Sequence, residues 1–297
     1  MNVIPVPCEP ILLLEPEGKQ DPKGKKVLVV ADLHLGLEAS LRKVGMHLPS
    51  QTGARTRHIL DVVGRTGAKR LVLLGDVKHT IGGFSRQEAE ELPVFFKELA
   101  SKVKVLDIVV GNHDGALKDA LPDGVGLHQH LVIGDVGLTH GHSWPPEDII
   151  ACQHVVMGHD HPTVLFIDEL CQRHFYPCWI KARLVPSRAQ ERYKGIRSGG
   201  TGLVMPAFDD LGSGTPVNLQ DVKLLGPLLS NGVIDLATAT VHLVDGTFLG
   251  DLKDLTVSDT ALLREQEEVG PTGSVVETLG DNAPALQPSK DDGGSEE

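Results

Sequence analysis

The 297-residue sequence contains only four cysteines, and they show no paired close spacing. This pattern indicates neither a disulfide framework nor a structural zinc site. Long hydrophobic runs are also missing, because runs such as Ile11 to Leu14 and Val27 to Ala31 fall far short of the roughly 20 residues that span a bilayer. The first residues are rich in proline rather than basic and then apolar. We therefore expect no secretory signal, no membrane partner and a cytoplasmic protein.

The net charge is −12, and most of it lies near the carboxyl end. From Glu265 to Glu297 nine acidic residues stand against one lysine. This segment also contains three prolines and few large apolar residues, so it cannot bury enough surface to offset the entropy of ordering. We predict one folded domain over residues 1–264 and a disordered acidic tail over residues 265–297.

Three short apolar runs in the first half of the chain each end in a polar cluster. Val27 to Ala31, Leu71 to Leu74 and Val105 to Val110 have the length and β-branched composition of strands. Between them, Arg57 to Arg65 and Glu88 to Leu99 carry apolar residues at helical spacing. This order predicts a largely parallel sheet, with the polar clusters at the carboxyl ends of the strands, where α/β sheets bind ligands.

After about residue 125 the pattern changes to short strands, for which we predict a second sheet packed against the first. The fold class is therefore α/β. The predicted strands are Leu131 to Ile133, Val136 to Thr139, His154 to Met157, Val164 to Ile167, Cys178 to Ala182, Leu203 to Pro206, Ile234 to Leu243 and Gly246 to Leu252.

Residues that bind hard divalent cations follow five of these strands. Asp32 and His34 are two residues apart, so both side chains can turn toward one ion at the end of the first strand. Asp76 follows the second strand and is suited to bridge two cations and lower their repulsion. Asn112 offers an amide oxygen, and its neighbour His113 can face the substrate instead. Two later clusters add imidazoles, His140-Gly141-His142 and Gly158-His159-Asp160-His161.

Taken in order, these clusters read D-x-H, G-D, G-N-H-D, H-G-H and G-H-x-H, and they resemble the five motifs of the calcineurin-like metallophosphoesterase superfamily. A finer resemblance is to the ICC-like or ligase-associated phosphoesterases of bacteria and archaea, whose bacterial members are associated with DNA repair. The segments that carry it are Asp32-Leu-His-Leu-Gly36, Gly75-Asp-Val-Lys-His79, Gly158-His-Asp-His-Pro162, and Met205-Pro-Ala-Phe208 followed by Gly212 to Asn218.

The resemblance implies a fold, a ligand set and a reaction. The fold is a four-layer α/β-β-α sandwich, in which two mixed sheets are flanked by helices. A water or hydroxide between two metal ions would attack phosphorus in line. His113 matches the catalytic histidine, which contacts the phosphate and protonates the leaving oxygen, and we expect Asp114 to orient His113 through a hydrogen bond. One ion would be held by Asp32, His34, Asp76 and His161, and the other by Asp76, Asn112, His140 and His159.

Mixed nitrogen and oxygen ligands suit several divalent metals. We expect two Mn²⁺ ions, with Fe²⁺, Zn²⁺ and Ni²⁺ as alternatives. The leading functional hypothesis is an enzyme that hydrolyses phosphodiester bonds in nucleic acid, either DNA or RNA, or in nucleotides. A phosphomonoesterase acting on a small metabolite is its nearest rival, because specificity lies in loops that the motifs do not describe. A metal-binding interaction module that has lost catalysis is the third hypothesis, and the full ligand set argues against it.

Three further residues lie within or beside the motifs. Lys78 and His79 depart from the common metal-site pattern, and we expect them to contact a ligand residue or the substrate rather than the metal. His142 is an alternative to His140 as a metal ligand, and we prefer His140.

The stretch from Lys181 to Arg197 carries six basic residues against one acid. Such a run is usually a solvated face. Its position between the last histidine motif and Met205 could instead place it beside the site, where it would attract phosphate-rich substrates. The candidates for polyanion contact are Arg188, Arg192 and Lys194.

Overall fold

The computed structural model describes residues 1–17, 26–185, 188, 192, 193, 196 and 200–257 of the chain. Within them, the first half of the chain forms a six-stranded sheet in sequence order. Its strands are β1 (Asn2–Pro5), β2 (Ile11–Glu15), β3 (Val27–Ala31), β4 (Arg70–Leu74), β5 (Val105–Val109) and β6 (Gly126–His128). Strands β3 to β6 run parallel, whereas β1 and β2 form an antiparallel hairpin that adds to β3.

A second sheet forms from later strands, and in the described part of the chain it has nine strands. They are β7 (His130–Ile133), β8 (Val136–Thr139), β9 (His154–Met157), β10 (Pro162–Ile167), β11 (Arg173–Leu184), β12 (Thr201–Val204), β13 (Thr215–Pro216), β14 (Ile234–Leu243) and β15 (Phe248–Asp251). The order is β13-β10-β11-β12-β9-β8-β7, and β14 pairs with both β11 and β15. Strand β9 runs parallel to both of its neighbours, so this sheet is also mixed.

The helices connect these strands. They are α1 (Leu37–Lys43), α2 (Thr52–Thr66), α3 (Arg86–Lys102), α4 (Glu147–Ile150) and α5 (Pro227–Ser230), with short 3₁₀ turns at Leu117–Ala120 and Leu252–Leu255. Helix α3 begins with a capping box, in which Ser85 and Glu88 satisfy each other's backbone amides.

Successive side chains of a strand point to opposite faces of its sheet, so they pack in separate hydrophobic cores. In β3, Leu28 and Val30 pack with α2 and α3, whereas Val29 and Ala31 pack with residues of the second sheet such as Trp179. The other face of the second sheet packs against α4 and α5. Because each sheet buries both faces in this way, the layers follow one another as helices, first sheet, second sheet and helices. The predicted four-layer sandwich is confirmed.

The predicted strands and the two predicted helices are confirmed, with ends that differ by a few residues. The hairpin of β1 and β2 is missing from the prediction. Strand β1 is four residues long and ends at Pro5, which suits a sheet edge but obscures the strand pattern in the sequence. The predicted tail, residues 265–297, lies outside the described residues. In the described part of the chain, no helix is long and apolar enough to cross a membrane.

Candidate metal centre

Two groups of potential metal ligands lie where the carboxyl ends of β3, β4, β8 and β9 come together. In each group the ligand atoms all lie within 4.8 Å of one another. The first group is Asp32, His34 and His161, and the second is Asp76, His140 and His159. Both sheets therefore contribute side chains to each of these two groups. A third group, His34, His79 and His113, has its ligand atoms equally close together and comes from the first sheet alone.

Asp76 faces both groups. Its Oδ2 lies 3.3 Å from His140 Nε2 and 3.8 Å from His34 Nε2. Asn112 Oδ1 lies 3.3 Å from the same nitrogen of His140, so the amide belongs with the second group. The structure thus brings all seven predicted ligands together, with Asp76 where a bridging carboxylate would lie. Their roles as ligands stay predictions.

His140 is held in one orientation by the backbone. Its Nδ1 donates a hydrogen bond of 3.2 Å to the carbonyl of Leu74, which leaves Nε2 directed at Asp76 and Asn112. Metal-binding histidines are commonly fixed in this way through their second nitrogen. His142 lies to one side, with its ring centroid 5.3 Å from that of His140, and it belongs to neither group. The geometry therefore favours His140 over His142.

Backbone hydrogen bonds fix the loops that carry these side chains. The amides of Asp32 and His34 donate to the carbonyls of Gly75 and Asp76 at 3.2 and 2.9 Å, so the loops after β3 and β4 continue the parallel pairing. From the second sheet, the amide of His159 donates to Asp32 Oδ2 at 3.0 Å. One carboxylate therefore links ligand loops of both sheets.

Five of the predicted ligands adopt left-handed backbone conformations, which residues other than glycine rarely adopt. Such conformations cost about 1–3 kcal/mol each and persist where the surroundings enforce them, commonly at functional sites. These residues and their φ angles are Asp32 (55°), His34 (44°), Asp76 (47°), His159 (73°) and His161 (43°). The concentration of strain at the strand ends marks this region as functional.

Two glycines make room for the carboxylates. A Cβ atom on Gly158 would lie 2.4 Å from Asp32 Oδ2, and one on Gly111 would lie 2.2 Å from Asp76 Oδ1. Because both neighbours are closely surrounded, neither carboxylate can easily move away. Glycine is therefore required at these positions of the G-H-x-H and G-N-H-D motifs, because the two carboxylates lie too close to the backbone for any side chain.

Both aspartates are ionised although they are buried. Burial alone would raise their pKa values, but nearby histidines outweigh it. The pKa of Asp32 is held below its usual value mainly by His161, and that of Asp76 mainly by His140. Buried charge of this kind needs a compensating cation.

The histidines divide into two kinds. Burial and the charge of His161 lower the pKa of His34 to about 3, and burial and His140 lower the pKa of His159 to about 4. These two rings are neutral and can offer a lone pair. Burial opposes protonation of His140 as well, but Asp76 and Asp32 raise its pKa to about 9. Its proton balances carboxylate charge as a metal ion would.

The donor set fits a pair of divalent cations. It combines two buried carboxylates, an amide oxygen and four imidazoles, which are ligands for manganese, iron or zinc. The Nε2 atoms of His34 and His161 face each other at 3.3 Å, and Asp32 Oδ1 lies 3.4 Å from the second of them. Such convergence of electron-rich atoms is favourable around a cation.

His113 lies beside these groups and is oriented by a backbone carbonyl. Its Nδ1 contacts the carbonyl oxygen of His79, so Nδ1 carries the hydrogen and Nε2 is free to face the centre, 3.9 Å from Asp76 Oδ2. The predicted hydrogen bond from Asp114 to His113 is wrong. Asp114 instead accepts hydrogen bonds from the amides of Val77 and Gly111 at 2.9 and 2.8 Å. It orders two ligand loops and has a positioning role.

Lys78 and Glu88 support the loop that carries His79. Lys78 is fully buried, and its ammonium donates to the carbonyls of Thr80 and His113, so it links the two loops that carry these residues. Glu88 accepts hydrogen bonds from the amides of His79 and Thr80 at 3.0 and 2.7 Å. The ring centroid of His79 lies 5.6 Å from those of His34 and His113, which agrees with its expected place around the ligands.

A buried ion pair that the sequence analysis does not identify holds the loop after β3. Arg55 donates to the carbonyl of Leu33 at 2.8 Å and pairs with Asp209. The amide of Asp209 in turn donates to the carbonyl of Asp32 at 3.0 Å. The loop is thereby held at two successive carbonyls, those of Asp32 and Leu33. Asp209 directly follows the Met205 to Phe208 segment quoted for the family resemblance, and that proximity is a usable sequence signal.

The basic stretch is divided between two places. Arg192 lies over the Trp144 ring, 4.9 Å from its centroid, and Trp144 follows His140 by four residues. Arg188 instead donates to the carbonyl of Gly232 at 2.8 Å, next to the start of β14. Lys194 lies outside the described residues. Among the described candidates, only Arg192 contacts a segment that continues from a ligand loop.

Comparisons with known proteins define the fold. No protein-family model and no curated protein matches the chain. The crystal structure of Pseudomonas putida nuclease MPE matches with a TM-score of 0.50 and 17% identity, and the match covers 82% of this chain and 98% of that chain. Yfce, a phosphoesterase from E. coli, matches with a TM-score of 0.31 and 24% identity over 50% of this chain and 76% of that chain. The likeness to the nuclease shows that the chain has the metallophosphoesterase fold.

We predict that Gly158→Ala reduces metal retention, because the added methyl group would collide with Asp32 Oδ2. Gly64→Ala is the matched control, since a Cβ atom at Gly64 in α2 meets nothing within 4 Å. Elemental analysis of the purified proteins should find less metal in the first variant and parental metal in the second. Equal metal content in both variants would contradict the close-approach argument.

We also predict that Arg55→Lys weakens metal binding by about tenfold or more, as substitutions behind metal ligands commonly do. A lysine can pair with Asp209 but lacks the second donor that reaches the carbonyl of Leu33. The control is Arg70→Lys, because Arg70 pairs with Asp107 at the other end of β4. Calorimetric titration with Mn²⁺ should separate the two variants. The positioning role fails if both bind like the parent.

Proposed function

We propose that the chain is a two-metal phosphoesterase that hydrolyses phosphodiester bonds. The observation that carries this proposal is the position of Asp76 between two groups of ligand atoms, one with His34 and one with His140. A single structural metal would not need two groups that share a carboxylate. Two Mn²⁺ ions are the proposed cofactors, held by the seven residues predicted from the sequence.

When bound, the two ions would acidify a water molecule and neutralise charge on the phosphate oxygens. The chain's own residues provide the remaining functions. Asp32 and Asp76 are held ionised in a closed site, and His34 and His159 are held neutral, so the donor atoms are ready without rearrangement. The fixed loops keep these atoms in place during the reaction, which favours preorganised electrostatic stabilisation.

His113 is the proposed general acid. As a general acid His113 would be protonated on both nitrogens: Nδ1–H donates to the carbonyl of His79, and the proton on Nε2, the nitrogen that faces the centre, is the one transferred. Transfer of this proton to the leaving oxygen removes the need to expel an alkoxide. The backbone amide of His113 donates to Asp76 Oδ1 at 2.9 Å. The backbone therefore holds the residue beside the proposed bridging carboxylate, and this contact does not use the imidazole.

A nucleic acid or nucleotide is the substrate class that we favour over a small phosphomonoester. Arg192 and Trp144 form a cation–π pair on the segment that follows His140, and such pairs suit phosphates and bases of nucleic acids. The likeness in fold to a nuclease agrees with this choice. A phosphomonoesterase remains the alternative, since a two-metal centre also serves that reaction.

The proposal is tested with two substitutions that separate metal binding from catalysis. Asp76→Asn removes the bridging charge and should lose metal and activity together. His113→Ala should retain two metals but lose about 10²- to 10⁴-fold in turnover on an alkyl phosphodiester, the usual contribution of general acid catalysis. The loss should be smaller for a nitrophenyl diester, whose leaving group hardly needs a proton.

His174→Ala is the control for this test, because His174 is an exposed residue that pairs with Asp168. It should match the parent in metal content and turnover. A metal-loaded parent protein that cleaves neither diesters nor monoesters would refute the enzyme. Cleavage of monoesters alone would select the alternative, and a His113→Ala protein with parental turnover would remove His113 from the mechanism.

We predict that Arg192→Ser raises the Michaelis constant for DNA or RNA severalfold and leaves that for a small aryl diester unchanged. The effect should diminish as salt screens the charge. Arg188→Ser is the matched control, because Arg188 is bound to the carbonyl of Gly232 and lies 3.5 Å from Asp235. Steady-state kinetics on both substrates measure the difference. Equal effects of the two variants would contradict a special role for Arg192.

A further inference from the structure

A second cleft lies away from the metal centre, at the opposite end of the strands. It has a volume of about 720 Å³ and is lined by β1, by the first residues of β9 and β12, and by parts of β11 and β14. His154 is the first residue of β9, whereas His159 follows its last residue. At about 3.3 Å per residue, the end of β9 that leads to the metal centre is about 10 Å from His154.

The cleft lies at the edge of the first sheet. Strand β1 is the edge strand of that sheet, and residues of β11 and β14 from the second sheet line the cleft with it. Trp179 and Leu203 belong to the core between the sheets. Lys181 follows Trp179 by two residues and pairs with Leu203, so it lies on the same face, where the first sheet no longer covers it.

The floor of the cleft is rich in hydrogen-bond donors. Lys181 is exposed and has no acidic partner among the described residues, and His154, His242 and Thr201 line the cleft with it. Burial lowers the pKa of both histidines, and the charge of Lys181 lowers each of them further. Both histidines are therefore neutral, and Lys181 is the cationic side chain that lines the cleft beside them.

The acids at the rim are already engaged. Glu17 pairs with the Met1 amine at 3.0 Å, and Asp245 accepts a hydrogen bond from the amide of Thr247 at 2.8 Å. The opposite wall is apolar, with Val3 and Val6 among its residues. The ammonium of Lys181 and the apolar wall complement a molecule that carries negative charge at one end and an apolar body at the other.

We propose that this cleft binds an organic anion with a flat apolar body, whose acidic group lies against Lys181. The acidic group can be a carboxylate, phosphate or sulfonate, because each accepts the same charge-assisted hydrogen bonds. The cleft is distinct from the metal centre, so this binding does not depend on the proposed hydrolysis.

The probe is 8-anilinonaphthalene-1-sulfonate, a flat apolar anion whose fluorescence rises on binding. The sequence contains two tryptophans, so the background variant Trp144→Phe leaves Trp179, which lines the cleft, as the only one. We expect one probe per metal-loaded chain, with energy transfer from Trp179 to the probe. Lys181→Gln in this background should weaken binding about tenfold, since it removes the charge but keeps most of the side chain.

Lys102→Gln is the matched control, because Lys102 is an exposed lysine at the end of α3. It should bind the probe like the background variant. Lys181→Gln and Lys102→Gln should retain the metal content and melting temperature of the Trp144→Phe background, which excludes probe binding to unfolded protein. The uncharged analogue N-phenyl-1-naphthylamine should bind equally to Lys181→Gln and its background. Parental affinity of Lys181→Gln for the anionic probe, or binding without energy transfer from Trp179, would overturn the proposal.

Discussion

Two carboxylates, Asp32 and Asp76, lie buried where the carboxyl ends of the two sheets meet, and the local structure follows from their charge. Burial of an unpaired carboxylate is strongly unfavourable. The chain surrounds the pair with imidazoles and backbone amides, of which His140 and His161 carry raised pKa values. Protons on these rings balance the same carboxylate charge that the proposed metal ions would balance.

The strained loops around these carboxylates depend on buried polar residues that contact no substrate. Arg55 holds the carbonyl of Leu33, Asp114 holds the amides of Val77 and Gly111, and the ammonium of Lys78 holds two more carbonyls. Each satisfies backbone groups that a left-handed turn removes from regular pairing. The rigidity of the centre is therefore distributed over charged side chains outside the ligand set.

Much of the fold could be predicted from the sequence, because the strands that carry ligands are apolar runs that end in motif residues. Strands β8, β9 and β14 are found with the predicted ends. The hairpin of β1 and β2 could not be recognised, since an edge strand ending at Pro5 lacks a regular pattern. Among the site residues, the five sequence motifs contained all seven predicted metal ligands.

The partners of individual polar side chains could not be predicted from the sequence. Asp114 follows His113 directly, and this adjacency suggested a hydrogen bond between them. Its side chain instead turns toward backbone amides, because buried amides of a tight turn need acceptors. The partnership of Arg55 with Asp209 spans 154 residues and depends on how α2 meets the loop after β12. No local spacing could indicate it.

The division of ligands between two sheets couples metal binding to the packing of the layers. Asp32, His34, Asp76 and Asn112 follow strands of the first sheet, whereas His140, His159 and His161 follow strands of the second. Neither sheet alone holds the group of Asp32, His34 and His161 or the group of Asp76, His140 and His159. The amide of His159 also donates to Asp32, so the inter-sheet core must form before the donor atoms converge. Metal ions bound by the proposed ligands would stabilise this packed state by mass action and would link the stability of the sandwich to the occupancy of the centre.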